Sequence, residues 1–169
     1  MHEGNLLPDE IARLARRVIE ENRAAGRMVT VAESCTGGLV AAALTEVPGS
    51  SAVLERGFVT YSNEAKKELL AVPADLIDTF GAVSVAVAWS MAQGALHKSR
   101  AHVAVAITGV AGPDGGTAQK PVGTVVFAKA ERGTDPEDVV AELRTFDPQG
   151  TRADVRRQAT LVALELLLP

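Results

Sequence analysis

The chain has 169 residues, 47% of them hydrophobic, and a formal net charge of -4. This length and apolar content suit one well-buried domain and are too small for two, so we predict a single domain over residues 1–169 with a frayed start at residues 1–7. The negative charge argues against nucleic acid as a partner, because nucleic-acid-binding proteins concentrate Lys and Arg against phosphate. The one cysteine, Cys35, excludes an internal disulfide and a multi-cysteine zinc site.

Membrane association is not expected either. No apolar run reaches the roughly 18 residues that span a bilayer, and residues 1–8 lack the apolar core of a signal peptide. We therefore predict a cytoplasmic protein that does not bind a membrane.

Taken in chain order, the hydrophobic periodicity predicts alternating helices and strands. The expected elements are helix 9–24, strand 29–33, helix 36–46, strand 53–62 with a bulge at Gly57, helices 63–70, 73–80 and 85–96, strands 102–108, 121–128 and 139–146, and a helix from Thr151 or Asp154 to Leu168. Strand 53–62 mixes charge with apolar residues and is placed toward an edge, and the last two strands form an antiparallel hairpin. These elements predict a three-layer α/β/α domain with a mixed, mostly parallel sheet.

Two helices carry more apolar surface than one face needs. In helix 85–96 the small apolar residues suggest packing on two sides, and Trp89 is assigned to the core. The last helix has a wide apolar surface, from which we predict a homo-oligomer, with a dimer as the first expectation. A wider groove within the same chain explains that surface almost as well.

Two glycine-rich turns follow the clearest buried strands, one after Glu33 and the other after Thr108. In open α/β sheets ligands bind outside the carboxyl ends of the strands, so both turns should converge on one pocket. In the first turn Thr36 is expected to cap a helix, and Gly37 and Gly38 allow a ligand to approach the backbone. Aligned N–H groups at that helix start would stabilise an anion or a developing oxyanion.

The chemistry of this pocket does not follow from a standard motif. The turns match neither the dinucleotide fingerprint, nor the Walker A pattern, nor the Gly-x-Ser-x-Gly frame of an esterase. Tight strand-helix packing is the alternative explanation of glycine-rich turns. His2 lies in a loose terminus, and His97 and His102 flank the start of a strand, at the opposite edge of the sheet. A histidine-based triad or metal cluster is therefore not expected.

The remaining candidates for proton transfer are Lys66, Glu33, Asp114 and Tyr61. A lysine acts as a base only when it is neutral, and lowering its pKa from about 10.4 to near 7 requires burial or neighbouring cations. Lys66 lies one turn into a short helix that can bury it. From the residues alone, an ordinary surface lysine is the favoured interpretation, and a buried base is the alternative.

Six motifs, in the same order along the chain, are similar to those of the CinA C-terminal domain family. They are Ala-Glu-Ser-Cys-Thr-Gly-Gly (32–38), Arg-Gly-Phe-Val-Thr-Tyr-Ser-Asn-Glu-Ala-Lys (56–66), Gly-Ala-Val-Ser (81–84), Ile-Thr-Gly-Val-Ala-Gly-Pro-Asp-Gly-Gly (107–116), Lys-Pro-Val-Gly-Thr-Val (120–125) and Val-Arg-Arg-Gln-Ala-Thr (155–160). The resemblance covers about residue 8 to the end. It implies a stand-alone amidohydrolase domain without the N-terminal domain of longer CinA proteins.

The resemblance further implies hydrolysis of the carboxamide of nicotinamide mononucleotide, a small-molecule substrate, to nicotinate mononucleotide and ammonia without a metal or cofactor. Carried onto matching positions, Ser34 is the nucleophile, Lys66 the general base, and Tyr61 orients them. The implied substrate-binding residues are Glu33, Cys35, Thr36, Gly37, Gly38, Thr108, Gly109, Gly112 and Arg152.

The sequence departs from the family pattern in one place and leaves alternatives open. Residues 146–152 are two residues longer than the family's compact Phe-x-Gly-Asp-Arg, so Asp147 is not assumed to replace the family aspartate, whereas Arg152 keeps its spacing to the last helix. Cys35 is a rival nucleophile, because thiolates are stabilised at helix N-termini. A non-catalytic nucleotide-binding domain and an amidohydrolase with a different amide substrate are the alternative functions.

Overall fold

A computed structural model describes residues 4–147 and 149–169 of the chain. Its centre is a five-stranded mixed sheet with the strand order β2-β1-β3-β4-β5. The pairings of β1 with β2 and β3 are parallel, and those of β4 with β3 and β5 are antiparallel. The elements are α1 (Asp9–Ala24), β1 (Val29–Glu33), α2 (Leu39–Thr45), β2 (Phe58–Val59), α3 (Asn63–Leu70), α4 (Ala74–Phe80), α5 (Val85–His97), β3 (Val103–Gly109), β4 (Thr124–Glu131), β5 (Val140–Thr145) and α6 (Arg152–Leu167), with short 3-10 helices at Ser50–Ala52 and Pro136–Asp138.

The predicted three-layer α/β/α fold with a mixed sheet is confirmed. Two hydrophobic cores lie on opposite faces of the sheet, one under α1, α2 and α6 and the other under α5. The sheet is not mostly parallel as predicted, because β4 pairs antiparallel with both β3 and β5, so two of the four pairings are antiparallel.

The wide apolar surface of α6 is used within the chain. Val155, Ala159 and Leu164 are fully buried in the core shared with α1, and Leu161 and Leu166 pack against its rim. A groove within the same chain, which was the alternative to a partner subunit, therefore accounts for the wide apolar surface of α6. In the part of the chain that the structure describes, no helix is both long and apolar enough to cross a membrane.

Three local expectations were wrong. The helix predicted to begin at Thr36 begins at Leu39, because the backbone of Gly38 has a φ of 102° and interrupts the helical path. The strand predicted over 53–62 is only Phe58–Val59, although it is at the edge as expected. Trp89 is only partly buried, and its Nε1 donates to the carbonyl of Pro136 at 3.0 Å beside an open apolar groove.

The sheet places the two glycine-rich turns side by side. β1 and β3 are adjacent and parallel, with Glu33 opposite Ile107. The carboxyl ends of both strands therefore lie at the same end of the sheet. The chain that leaves β2 also begins there, because the Thr60 N–H donates to the Glu33 carbonyl at 2.8 Å. Three connections therefore converge at one end of the sheet, as predicted for the two turns.

The position of α3 depends on a close contact with α5. A Cβ atom built on Gly94 of α5 would lie 2.1 Å from the carbonyl oxygen of Leu70, the last residue of α3. Only a glycine lets these two helices approach so closely, and α3 carries Lys66.

We predict that Gly94→Ala destabilises the protein by about 1–3 kcal/mol through overpacking, although alanine favours an isolated helix by about 1 kcal/mol. The free energy of unfolding in urea measures this effect. Gln93→Ala, a partly exposed neighbour on the same helix, is the control and should change stability by less than about 0.5 kcal/mol. A Gly94→Ala protein as stable as the parent would contradict the argument.

Candidate active site

Ser34 is the first residue after β1 and is fixed by the adjacent strand. Its backbone N–H donates to the Ile107 carbonyl of β3 at 2.9 Å, and its own carbonyl accepts from the Gly37 N–H at 3.0 Å. Only 7% of the residue is exposed. The Ser34 hydroxyl is therefore held in one place, at the carboxyl end of the sheet.

Lys66 reaches this hydroxyl from α3. The Ser62 side chain caps that helix by accepting from the Ala65 N–H, which places Lys66 in the first helical turn. Its Nζ donates to Ser34 Oγ at 2.8 Å, to the Thr60 carbonyl at 2.8 Å and to the Tyr61 carbonyl at 3.4 Å. With 1% of its surface exposed, Lys66 is not the surface lysine that the residues alone favoured.

Burial changes the acidity of Lys66. Desolvation of the ammonium form lowers the pKa of Lys66 from 10.5 to about 8, and the nearby Cys35 acts weakly in the opposite direction. At pH 7 about one molecule in ten then carries a neutral amine at this position. A neutral amine within hydrogen-bonding distance of a serine hydroxyl can accept its proton.

The same burial disfavours Cys35 as a nucleophile. Its side chain is 5% exposed, and desolvation raises the pKa of the thiol from 9.0 to about 11. A thiol with this pKa is protonated at neutral pH, and the thiolate is the reactive form. Cys35 packs close to Gly109, where an added Cβ would lie 3.1 Å from its Sγ.

Glu33 stabilises the turn from inside the protein. Its fully buried carboxylate accepts hydrogen bonds from the Thr36 hydroxyl at 2.6 Å, the Val40 N–H at 3.0 Å and the Ala41 N–H at 3.1 Å. A negative charge at a helix N-terminus is favourable, so Glu33, and not Thr36, caps α2. These contacts turn both side chains toward α2.

Arg156 holds the turn from the opposite side. This residue of α6 donates from Nε to the Cys35 carbonyl at 3.1 Å and from Nη2 to the Thr36 carbonyl at 3.4 Å. The carbonyl and N–H of a trans peptide point in opposite directions, so fixing the Cys35 carbonyl also fixes the direction of the Thr36 N–H. Arg156 was not among the predicted site residues, although the Val-Arg-Arg motif at 155–157 contains it.

The rim of the site is built around Arg152. Its guanidinium donates from Nη1 to the Gly112 carbonyl at 2.7 Å and from Nη2 to the Tyr61 hydroxyl at 2.8 Å. Tyr61 is 61% exposed. Arg152 thus links the start of α6, the turn after β3 and the segment before α3.

These groups surround a cavity of about 250 Å³. The lining residues are Ser34, Cys35, Tyr61, Asn63, Lys66, Ala82, Val83, Thr108, Gly109, Ala111 and Arg152. Seven of them were predicted as site residues, namely Ser34, Cys35, Tyr61, Lys66, Thr108, Gly109 and Arg152. The sequence reasoning missed Asn63, Ala82, Val83 and Ala111. All four lie within the motifs at 56–66, 81–84 and 107–116, which were the available signal.

The other predicted residues lie beside the cavity. Gly112 supplies a carbonyl to Arg152, and Gly37 lies against the Arg156 guanidinium. Gly38 precedes α2. Thr108, which does line the cavity, donates from its side chain to the Ala82 carbonyl at 2.9 Å. Glu33, Thr36, Gly37, Gly38 and Gly112 are not among the described residues that line the cavity.

His97, His102 and Asp114 are not among the residues that line the cavity. His102 accepts from the Met28 N–H at the opposite end of β3, and His97 is exposed at the end of α5. Asp114 is exposed in the loop after β3. His2 lies outside the described residues.

Comparison with known proteins identifies the family of this chain. A family model described as the CinA C-terminal domain matches residues 11–169. The chain belongs to the CinA C-terminal domain family.

Members of this family are similar over most of the chain. The nicotinamide-nucleotide amidohydrolase PncC of Escherichia coli (strain K12) is 49% identical over 158 residues, 94% of this chain and 93% of that protein. A CinA-like protein of Mycobacterium avium (strain 104) is 48% identical over 165 residues, 98% of this chain and 36% of that protein. The crystal structure of the competence/damage inducible protein CihA from Agrobacterium tumefaciens matches with a TM-score of 0.92 and 49% identity over 97% of each chain.

Relatives differ in length. The chain spans about a third of the length of some curated relatives that it matches, 34% for one from Symbiobacterium thermophilum and 36% for the Mycobacterium avium protein. The described residues that line the cavity all lie within the matched residues 11–169.

The Glu33 cap yields a stability prediction. In Glu33→Gln one carboxylate oxygen is replaced by an NH₂ group, which faces a backbone N–H of α2 and cannot accept from it. We expect the free energy of unfolding in urea to fall by about 2 kcal/mol. Glu20→Gln on the exposed side of α1 is the matched control and should be nearly neutral. Equal stability of the two variants would show that the Glu33 contacts are dispensable.

Proposed function

We propose that the protein hydrolyses the carboxamide of nicotinamide mononucleotide to nicotinate mononucleotide and ammonia. The observation that carries this proposal is the 2.8 Å contact between Lys66 Nζ and Ser34 Oγ inside the cavity. The substrate is taken from the Escherichia coli relative, which is named nicotinamide-nucleotide amidohydrolase and is similar along nearly its whole length. The activity belongs to pyridine nucleotide salvage, and a charged nucleotide that does not cross a bilayer unaided is consistent with a cytoplasmic enzyme.

Acylation begins with proton transfer from Ser34 to the neutral amine of Lys66. Ser34 Oγ forms a bond to the carboxamide carbon while the carbonyl π electrons move to oxygen, giving a tetrahedral oxyanion. Collapse of this intermediate breaks the C–N bond, and the Lys66 ammonium returns its proton to the departing nitrogen. Ammonia leaves, and an ester joins Ser34 to the nicotinate carbonyl.

Backbone N–H groups of the turn stabilise the oxyanion. The Gly37 N–H is bonded to the Ser34 carbonyl, and those at the start of α2 are bonded to Glu33. We therefore assign the oxyanion to the N–H groups of Cys35 and Thr36, which directly follow the nucleophile. Arg156 supports the direction of the Thr36 N–H by binding the Cys35 carbonyl of the same peptide, and the Gly37 N–H supports the direction of the Cys35 N–H by binding the Ser34 carbonyl. Preorganised donors of this kind are worth roughly 3–4 kcal/mol each in transition-state stabilisation.

Deacylation repeats these steps with water. Neutral Lys66 accepts a proton from water, the hydroxide oxygen attacks the ester carbon, and the ester C–O bond breaks. Ser34 recovers its proton from Lys66, and nicotinate mononucleotide leaves. Because the same amine acts as base and then as acid in both halves, no metal ion or cofactor is required by this scheme.

The phosphate of the substrate is assigned to the rim. Arg152 uses two N–H groups on Gly112 and Tyr61, and a guanidinium has five donors, so others remain for phosphate oxygens. The backbone of the loop at 109–116 is the second candidate. Tyr61 in this scheme positions Arg152 and supplies a backbone carbonyl to Lys66.

The dyad is tested by matched substitutions. With nicotinamide mononucleotide and chelator present, we expect Ser34→Ala to show no turnover and Lys66→Met to lower kcat by about 10²- to 10⁴-fold. Lys67→Met is the control, since Lys67 points away and pairs with Glu64, and it should retain the parent rate. Release of ammonia and of nicotinate mononucleotide is measured together.

Several outcomes would count against this proposal. Turnover by Ser34→Ala with none by Cys35→Ala would make Cys35 the nucleophile. Nucleotide binding without ammonia release by the folded parent protein would favour the non-catalytic binding domain. Turnover of another carboxamide in place of nicotinamide mononucleotide would keep the dyad and change the substrate.

The lowered pKa of Lys66 predicts a pH dependence. Only the neutral amine accepts the Ser34 proton, so kcat/KM should rise with pH and level off above an apparent pKa of about 8. A surface lysine would place this rise near 10.4. The initial rate at low substrate concentration, measured from pH 6 to about 9, gives the profile of kcat/KM against pH. A rate that stays constant from pH 6 to about 9 would contradict the assignment of Lys66 as base.

A further inference from the structure

Asn63 is a polar residue of the cavity that the reaction scheme does not use. It is the first residue of α3 and precedes Lys66 by three residues, and both residues line the cavity. Side chains three positions apart on a helix are neighbours on the same face. Asn63 therefore lies beside the amine that takes the Ser34 proton, on the side of the helix start.

The other amide, hydroxyl and charged side chains that line the cavity are already paired. Their pairs within the described residues are Lys66 with Ser34, Arg152 with Tyr61, and Thr108 with the Ala82 carbonyl. The side chain of Asn63 has no hydrogen-bond partner in the part of the chain that the structure describes, and the residue is exposed. An amide side chain has one acceptor and two donors, so Asn63 can offer both kinds of group to a ligand.

Asn63 also lies between the residues assigned to the two ends of the substrate. Lys66 contacts the nucleophile at the base of the site, and Tyr61 is bonded to Arg152 at the rim. Helical side chains tilt toward the helix N-terminus, so Asn63 projects from the turn of Lys66 toward Tyr61. In nicotinamide mononucleotide the ribose lies between the ring that carries the carboxamide and the phosphate.

The ribose hydroxyls are the polar groups of the substrate that have no partner in the scheme. The carboxamide is taken by the dyad and the turn, and the phosphate is taken by the rim. The pyridine ring carries the ribose on its nitrogen and offers no hydrogen bond, and the apolar side chains of Ala82, Val83 and Ala111 in the cavity wall suit its faces. An unpaired amide and an unpaired diol therefore belong to the same part of the site.

We propose that Asn63 determines specificity for the ribose by accepting from one of its two adjacent hydroxyls and donating to the other. This role depends on the proposed function, in which the substrate is a ribonucleotide. The amide places an acceptor and a donor side by side, and neighbouring hydroxyls, each a donor and an acceptor, match that pair. The site thereby recognises a ribosyl carboxamide and discriminates against carboxamides that lack the diol.

The test combines one substitution with two substrate analogues. Asn63→Leu keeps a side chain of similar size and removes both hydrogen-bonding groups. With nicotinamide mononucleotide we expect its kcat/KM to fall by about 10- to 30-fold, as two hydrogen bonds are lost. The change should lie mainly in KM, because the ribose is bound equally in the ground state and the transition state.

The analogues show whether the lost contact is with the ribose. The parent should use the 2′-deoxy and 3′-deoxy forms of the substrate about 3- to 10-fold less efficiently than the substrate itself. Asn63→Leu should use all three within about 2-fold of one another, because a partner that is already absent cannot be lost again. Ammonia release is measured, since loss of the glycosidic bond releases nicotinamide and no ammonia.

The control is a substitution at the next residue of the same helix. Glu64 is exposed and pairs with Lys67, so Glu64→Leu should keep the kcat/KM of the parent and its preference for the ribose hydroxyls. Asn63→Leu should unfold at the same urea concentration as the parent. Its profile of kcat/KM against pH should also keep the parent's midpoint, which a displaced Lys66 would shift.

The failures of this proposal and of the proposed function are distinguishable. A parent that uses both analogues as well as the substrate would overturn the role of Asn63 and leave the hydrolysis standing. So would an Asn63→Leu protein that still discriminates against the analogues, or one that loses kcat with an altered pH profile, since its role would then be to position Lys66. A parent that releases no ammonia from nicotinamide mononucleotide would overturn both.

Discussion

A lysine ammonium group inside a protein must find acceptors or lose its proton, and this constraint governs the site. Lys66 is almost fully buried and satisfies its Nζ with one hydroxyl and two backbone carbonyls. Those acceptors come from the end of β1 and the segment after β2, so both must be placed before Lys66 can be buried. The close packing of α3 on α5 at Gly94 then holds the helix that carries it. Desolvation, which is unfavourable to the charged form, lowers the pKa of the amine, so a larger fraction of it is neutral and able to accept a proton near neutral pH.

The turn after β1 is held by charges of opposite sign on its two sides. Glu33 takes the N–H groups at the start of α2, and Arg156 takes the carbonyls of Cys35 and Thr36. Each charged group binds the backbone dipoles that suit it, so neither carries an unmatched buried charge. The last helix therefore contributes to the site through Arg156 and Arg152, while its apolar face completes one of the two cores.

Several errors of the sequence interpretation share one cause, which is that a local pattern does not reveal which partner a polar group will find. Thr36 is a good helix cap by residue type, but in the folded chain its hydroxyl donates to Glu33 and the helix begins three residues later. Trp89 lies in an apolar helix, yet its indole N–H reaches the Pro136 carbonyl and the ring stays partly exposed. The wide face of α6 indicated burial correctly, and only the packing showed that the same chain supplies the contact.

The sequence by itself determined the order and type of most elements, the convergence of two turns at one end of the sheet, and, through its motifs, the family and the pair Ser34 and Lys66. These features depend on residue periodicity, on turn residues and on short motifs, all of which are local in the chain. The tertiary structure decided which groups meet: the 2.8 Å contact of Lys66 with Ser34, the burial that lowers the pKa of Lys66 to about 8, and the support from Arg156. It also decided that β5 is a free edge. Distances and desolvation arise between residues far apart in sequence, and they are fixed only when helices and sheet pack together.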